Sequence, residues 1–128
     1  MKLLLDTCSF LWICADAPEL SRRARELFVD PSNEVYLSAV SCWEIALAHS
    51  LERLRLAAAP WEFVRAERER HGIEPLALDE DSALQLTLLP KRHRDPFDRM
   101  LVCQALVHGL VVLTPDRAIA QYPVRTLW

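Results

Sequence analysis

Residues 95–116, DPFDRMLVCQALVHGLVVLTPD, form a helix-to-strand unit that begins and ends with an acid. Asp95 is a favourable N-cap, Pro96 suits the first helical position, and Gly109 is a typical residue just beyond a helix. Val111–Leu113 is a short, continuous apolar run, which favours a buried strand. The stretch therefore predicts an α-helix followed by a strand of a parallel sheet.

Asp98 lies on the apolar face of this predicted helix. Leu101, Val102 and Ala105 follow it at helical spacing. A carboxylate on such a face needs a cation, a hydrogen-bond donor or a raised pKa. An acid in the first turn of a helix is also a common capping residue, so Asp98 alone does not establish a functional site.

The same alternation of short strands and helices extends through the chain. The predicted strands are Lys2–Asp6, Val35–Ser38, Ile73–Ala77, Val111–Leu113 and Val124–Leu127, and the predicted helices are Phe10–Ala15, one from Ser21, Ser41–Leu51, Trp61–His71, Asp79–Leu89, Asp95–Gly109 and a short one after Asp116. The strands are apolar on both faces, as in parallel sheets that helices cover on both sides. We expect a three-layer α/β sandwich with a mainly parallel central sheet, formed by residues 1–128 as a single domain.

The composition excludes several classes of protein. The chain has 128 residues, 52% of them hydrophobic and 26% charged, which fits one globular domain. It has only two glycines, so a glycine-rich phosphate-binding loop is excluded. A net charge of −3 argues against a general polyanion binder, although it leaves room for a local basic groove.

The cysteines and the N-terminus point to a reducing compartment. The four cysteines show no C-x-x-C spacing, so we expect small core residues rather than zinc ligands. The apolar N-terminus resembles a signal peptide, but Asp6, Thr7 and Ser9 interrupt it. No apolar run approaches the roughly 18–20 residues needed to span a membrane. We therefore expect a cytoplasmic protein without a membrane segment.

Four acids fall at the edge of the sheet where ligands bind in folds of this kind, beyond the carboxyl ends of the strands. They are Asp6, Glu44, Asp98 and Asp116. Each has a simpler interpretation when taken singly. Asp6 and Asp116 suit helix capping, and Glu44 completes an S-x-x-E capping box with Ser41. Their shared position favours a functional site.

A cluster of this kind predicts a hard metal ion. Clustered carboxylates raise the pKa of one another, so a cluster that stays ionised implies a divalent cation. Oxygen ligands favour Mg²⁺ or Mn²⁺ over zinc. Glu44 is followed by Leu47, Ala48 and Leu51 at helical spacing, which predicts that it also lies on an apolar face. Such a site is suited to the hydrolysis of phosphodiesters.

Four short motifs occur in a characteristic order along nearly the whole chain. They are Leu5-Asp6-Thr7, Ser41-Cys42-Trp43-Glu44-Ile45-Ala46, Asp95-Pro96-Phe97-Asp98-Arg99 and Thr114-Pro115-Asp116. Together they resemble the PIN domain and, more narrowly, the VapC-type toxins of bacterial toxin–antitoxin pairs.

The resemblance implies a Mg²⁺-dependent ribonuclease in which Asp6, Glu44, Asp98 and Asp116 bind the metal. Asp6 and Asp98 are its best direct ligands, and Asp95 is structural. It also implies an RNA substrate, a small cognate antitoxin and a homodimer. Many relatives have His or Asn at the position of Cys8, and often Lys at that of Ala48, but neither difference removes an acid.

Basic and aromatic residues near the motifs have two interpretations each. Arg94, in a basic run before the acidic motif, and Arg99 could contact RNA phosphates, although a solvated loop explains the run equally well. Trp12, Trp43 and Trp61 are expected in the core or at an interface. Base stacking is the alternative, although the spacing of these residues does not support it.

Three other functions remain open from the sequence. A phospho-acceptor receiver domain has similar alternation, but it carries an adjacent acidic pair after the first strand, where this chain has Asp6 and Thr7. A PIN fold used only for binding is disfavoured by the presence of all four acids. A PIN nuclease of RNA processing without an antitoxin is not excluded.

Overall fold

The computed structural model describes all residues, Met1–Trp128. Five strands form one sheet in the order β3-β2-β1-β4-β5, and every neighbouring pair is parallel. The strands are β1 (Lys2–Leu5), β2 (Glu34–Ser38), β3 (Glu74–Leu76), β4 (Val111–Leu113) and β5 (Thr126–Leu127). The helices are α1 (Thr7–Ala15), α2 (Arg22–Val29), α3 (Ala39–Ser50), α4 (Pro60–Arg70), α5 (Glu80–Gln85), α6 (Pro96–His108) and α7 (Arg117–Ala120), with a 3₁₀ turn at Leu86–Leu88.

The alternation of side chains along the central strand divides the interior into two cores. Leu3 and Leu5 of β1 pack into one core with Phe10 of α1. Leu4 packs into the other core with Leu101 of α6. All three leucines are fully buried, as expected for a strand covered on both faces. The predicted three-layer α/β sandwich with a parallel sheet is confirmed.

The strand order creates a crevice at the carboxyl end of the sheet. From β1 the chain continues to β2 on one side, whereas from β4 it continues to β5 on the other. Ligands bind in the crevice where connections diverge in this way. Asp6 follows β1 and Asp116 lies three residues beyond β4, so both acids lie beside this crevice.

Two helices begin earlier than predicted because a strand-end residue caps each of them. α1 begins at Thr7 rather than Phe10, since Asp6 Oδ1 accepts a hydrogen bond from the backbone N–H of Ser9 at 2.8 Å. α3 begins at Ala39, since Ser38 Oγ accepts from the N–H of Val40 at 2.9 Å. The predicted capping box of Ser41 and Glu44 is therefore wrong, because both residues lie inside α3.

α6 begins and ends as predicted. Asp95 is its N-cap, and Oδ1 accepts hydrogen bonds from the N–H groups of Phe97 and Asp98. Gly109 ends the helix in the left-handed region at φ 65°. The helix predicted from Asp79 is shorter than expected, because α5 gives way to the 3₁₀ turn after Gln85. None of the helices is both long and apolar enough to cross a membrane.

Candidate active site

Asp6 is held by hydrogen bonds to both of its carboxylate oxygens. Oδ1 accepts the N–H of Ser9, and Oδ2 accepts the hydroxyl of Thr114 at 2.5 Å. Only 5% of Asp6 is exposed, and this burial raises its pKa although the hydrogen bonds oppose the shift. The charge of Asp116 raises the pKa further. Asp6 is therefore a rigid carboxylate that is costly to ionise without a cation.

Glu44 is oriented by the first residue of α1. The hydroxyl of Thr7 donates to Glu44 Oε1 at 2.6 Å. Burial raises the pKa of Glu44, and the charges of Asp95 and Asp6 add to the shift. The apolar neighbours predicted to bury this face of α3 do not do so, because Leu47 and Leu51 are 40% and 52% exposed. Glu44 therefore points into the acidic cluster from a helix with a largely exposed apolar surface.

Asp98 lies in the first turn of α6, above side chains that the structure buries as predicted. Leu101 and Val102 are fully buried. Burial, together with the charges of Asp95, Asp116 and Glu44, raises the pKa of Asp98 to about 6, while a hydrogen bond with His93 opposes the shift. His93 Nε2 lies 3.1 Å from Asp98 Oδ2.

Asp116 caps the short helix α7 through a hydrogen bond from the N–H of Ala118 to Oδ1. The N–H of Asp116 itself donates to Thr114 Oγ1 at 3.0 Å. Because the Thr114 hydroxyl donates in turn to Asp6, this one side chain fixes two of the four acids relative to each other.

The structure brings all four predicted acids to one edge of the sheet. Cys8, the second residue of α1, lies among them, and Asp6, Glu44, Asp98 and Asp116 all raise the pKa of its thiol, to about 11 together with burial. Contrary to the expected core position, Cys8 is exposed. With its raised pKa, the thiol stays protonated and is a poor nucleophile near neutral pH.

The donor set fits a hard divalent cation. No Lys or Arg nitrogen lies within 4.0 Å of the carboxylate oxygens of the four acids, and the only basic side chain that contacts them is His93, beside Asp98. The tightest group of possible ligands is His93, Asp95 and Asp98, whose ligand atoms lie within 4.8 Å of one another. The four acids themselves form a more open set. This suits Mg²⁺, which keeps several waters and needs only one or two direct carboxylates.

Three polar residues support the acids in roles that the sequence did not indicate, although Thr7 and Thr114 lie within two of the motifs quoted above. Thr7 and Thr114 each lie at a strand end within two residues of an acid, and that pattern is the signal that could have identified them. His93 belongs to the basic run of residues 91–94 that precedes the acidic motif. Its proximity to Asp98 depends on how the loop before α6 folds back.

The two predicted phosphate-contacting arginines differ in their surroundings. Arg94 is exposed and forms no ion pair within 4.0 Å. Arg99 donates from one guanidinium nitrogen to the carbonyls of Pro90 and His93 and to the Tyr122 hydroxyl, at 3.2, 3.3 and 3.3 Å. Arg99 therefore holds the loop that carries His93 against the C-terminal part of the chain.

Comparisons with known proteins identify the family of the chain. Residues 3–124 match the PIN domain family. The chain is 30% identical to ribonuclease VapC22 of Mycobacterium tuberculosis over 133 residues, which cover 98% of each protein.

Two solved structures share the fold over almost their whole length. VapBC2 from Rickettsia felis, bound to a DNA fragment from the promoter, gives a TM-score of 0.75 at 12% identity and covers 99% of this chain and 98% of that one. DNA-bound VapBC from Salmonella typhimurium gives a TM-score of 0.70 at 22% identity and covers 99% and 97%. From the family match and the 30% identity to ribonuclease VapC22, this chain belongs to the PIN domain family and, within it, to the VapC type.

Proposed function

We propose that this protein is a Mg²⁺-dependent endoribonuclease, with Mn²⁺ as an alternative ion, and the toxin of a type II toxin–antitoxin pair. The observation that carries the proposal is the group of four acids at the crevice, held in place by hydrogen bonds but not paired with Lys or Arg. The relative of 30% identity is named a ribonuclease, which supports the same activity here.

Asp6 and Asp98 are proposed as the direct metal ligands, with Glu44 and Asp116 completing the negative site. A bound Mg²⁺ would lower the pKa of a coordinated water and stabilise charge that develops on the phosphate. The chain itself orients the ligands. Ser9 and Thr114 fix Asp6, and Thr7 fixes Glu44 through Oε1, leaving Glu44 Oε2 without a hydrogen bond from the protein. Glu44 Oε2 is thus placed to accept a proton.

RNA phosphates are proposed to bind beside the acids through Arg94 and Arg99. Arg94 is exposed in the loop that precedes α6. Arg99 uses Nη1 for the loop carbonyls and Tyr122, and its other guanidinium nitrogens make no hydrogen bond within the protein. Arginine binds phosphate through several nitrogens in a planar fork, so the Arg99 side chain can hold the loop with one nitrogen and bind a phosphate with the others.

The partner proposed for this chain is a small antitoxin that blocks the acidic site in the cytoplasm. The two solved structures described above are VapBC assemblies, which supports a partner of this type. A basic side chain of the partner would pair with the carboxylates and displace the metal. A homodimer is proposed as well, because two-fold dimers are the commonest oligomers.

The activity is tested with purified protein and a single-stranded RNA of mixed sequence, with Mg²⁺ or with a chelator. We expect cleavage with Mg²⁺ only. Asp6→Asn and Asp98→Asn should each lower the rate by several orders of magnitude while circular dichroism shows a folded protein. Wild-type cleavage by either variant would remove that residue from the ligand set. Zinc should not replace magnesium.

The toxin assignment needs a separate experiment. The chain is expressed with the product of the adjacent gene, the complex is purified, and RNA cleavage is compared with and without that partner. We expect co-purification and loss of cleavage in the complex. Cleavage unaffected by the partner, or no association, would instead indicate a PIN ribonuclease of RNA processing.

A further inference from the structure

An aromatic pair borders the acidic site on its α3 side. Trp43 packs against Phe97 with ring centroids 4.9 Å apart and an interplanar angle of 70°. In the chain, Trp43 directly precedes Glu44 and Phe97 directly precedes Asp98. The contact therefore joins the two helices that carry two of the acids, one residue before each acid in the chain.

The indole of Trp43 remains available to a ligand. Trp43 is 61% exposed, so of the two positions expected for it, core or interface, the core is excluded. The two rings meet in a T-shaped arrangement, and one such neighbour does not cover both faces of the indole. A large, exposed aromatic surface beside a catalytic site is a common feature of binding surfaces.

The aromatic surface continues away from the acids into a groove between α3 and α4. The groove has a volume of about 340 Å³, within the roughly 300–1,000 Å³ typical of ligand sites. Trp61 lines it and is 73% exposed, and the guanidinium of Arg65 stacks over the Trp61 ring at 4.4 Å. Exposed aromatic rings combined with arginine are typical of surfaces that bind single-stranded nucleic acid.

We propose that Trp43, supported by Phe97, stacks against an unpaired base of the RNA substrate next to the phosphate that is cleaved. This inference rests on the proposed ribonuclease activity and names a subsite of the same site. Each ring stands one residue before an acid, on the two helices that bring Glu44 and Asp98 to the site, so the pair lies on the side of the site where a nucleotide next to the cleaved phosphate would be bound. Arg65 adds positive charge farther along the groove, which is complementary to the RNA backbone and opposite in sign to the acidic cluster.

The test uses two variants that keep an apolar side chain against Phe97. Trp43→Phe retains an aromatic face, whereas Trp43→Leu removes it. The cleavage site is first mapped with the wild-type protein on a mixed-sequence RNA, and a short oligomer containing that site is then synthesised. Two further oligomers each lack one base, on either side of the cleaved bond. We expect Trp43→Leu to lower kcat/KM on the complete oligomer by roughly 5- to 100-fold, and Trp43→Phe to lower it far less.

The oligomers without a base separate stacking from a general structural effect. One of these oligomers should be cleaved with nearly the same reduced efficiency by Trp43→Leu and by the wild-type protein, because the missing base and the missing ring remove one shared contact. If Trp43→Leu and Trp43→Phe cleave the complete oligomer equally, or if the loss in Trp43→Leu is undiminished on both shortened oligomers, the proposal is wrong.

A binding measurement makes the test independent of cleavage. Fluorescence anisotropy of a labelled RNA oligomer is measured in an Asp98→Asn background with chelator, with and without the Trp43 substitutions. We expect Trp43→Leu, but not Trp43→Phe, to weaken binding roughly 5- to 100-fold. An Asp98→Asn protein that binds RNA with no contribution from the ring overturns this inference alone, whereas a wild-type protein that neither binds nor cleaves RNA overturns the proposed function too. Normal RNA cleavage by Trp43→Leu with lost inhibition by the antitoxin would assign the groove to a protein instead.

Discussion

Thr114 has the most constrained role of any single residue in the candidate site. Its hydroxyl donates to Asp6 and accepts from the backbone of Asp116, so it connects the residues that follow β1 and β4. Both partners are polar groups in a buried or half-buried setting, where an unmade hydrogen bond costs about 1–3 kcal/mol. Thr114 is itself only 3% exposed. Its side chain therefore positions Asp6 and Asp116 relative to each other.

Replacement of Thr114 by Val tests this role, because Val keeps the shape and removes the hydroxyl. We expect RNA cleavage to fall roughly 10- to 100-fold, with a matching loss of Mg²⁺ affinity, as is typical when a partner of a metal ligand is removed. Thr114→Ser is the matched control and should retain most activity. Equal cleavage by the Val and Ser variants, both folded, would show that the hydroxyl does not position the acids.

Whether a residue of the site could be predicted from the sequence depends on how near its contacting residues are in the chain. Asp98 was predictable because the residues that bury its face lie within the same helix, and they are buried. The same argument was wrong for Glu44, whose neighbours Leu47 and Leu51 are exposed. Local periodicity identifies an apolar face but not whether another part of the protein covers it. Thr7 and Thr114 were missed because their acidic partners are 37 and 108 residues away.

At the level of elements, the first residue of a helix could be predicted only where a single residue nearby was suited to be the N-cap. α6 has one suitable cap, Asp95, followed by Pro96, and its start was predicted correctly. α3 offers two serines three residues apart, and the earlier one, Ser38, caps the helix because it directly ends β2. The sequence pattern of a capping box was present at Ser41, but the strand end determined the start. Boundaries of this kind depend on the sheet and are not visible in the local sequence.

The N-cap of α6 provides a prediction that separates stability from chemistry. Asp95→Ala removes the acceptor for the N–H groups of Phe97 and Asp98 and should cost about 0.5–2 kcal/mol in the free energy of unfolding. Asp95→Ser also removes the charge but keeps a capping oxygen, so it should be more stable than Asp95→Ala in urea unfolding. Both should retain far more activity than Asp98→Asn. A stable but inactive Asp95→Ser would instead place Asp95 among the metal ligands, near His93 and Asp98.

At the level of the whole molecule, the parallel sheet assembles a site from segments that are distant in sequence. β1 and β4 are neighbours, and the loops after them carry Asp6 and Asp116 to the same crevice. α3 and α6 add Glu44 and Asp98. The alternation of strands and helices was sufficient to predict this edge, because all carboxyl ends of parallel strands meet there. The concentration of negative charge links the stability of the whole fold to pH and to metal.

The pKa values of Asp6, Glu44 and Asp98 are raised in the metal-free protein, that of Asp98 to about 6. Between the ordinary pKa of an aspartate and about pH 6, the folded state therefore binds more protons than the unfolded state. The contribution of these groups to stability is present at low pH and is lost as pH rises through this window. The lowered pKa values of Asp30 and Asp79 affect stability only below this pH range, because these two groups change protonation below the ordinary pKa of an aspartate.

Thermal unfolding at pH 5 and pH 7.5, with chelator or with Mg²⁺, measures this linkage. In chelator, we expect a lower Tm at pH 7.5 than at pH 5, since the acids ionise without a counter-charge. Mg²⁺ binds the ionised form, so it should raise Tm mainly at pH 7.5. At a Mg²⁺ concentration of a hundred times its Kd, the free energy of unfolding should rise by about 2.7 kcal/mol. Asp98→Asn should reduce both the pH dependence and the response to Mg²⁺. A response to Mg²⁺ that is the same at both pH values and in Asp98→Asn would mean that the ion binds elsewhere on the protein.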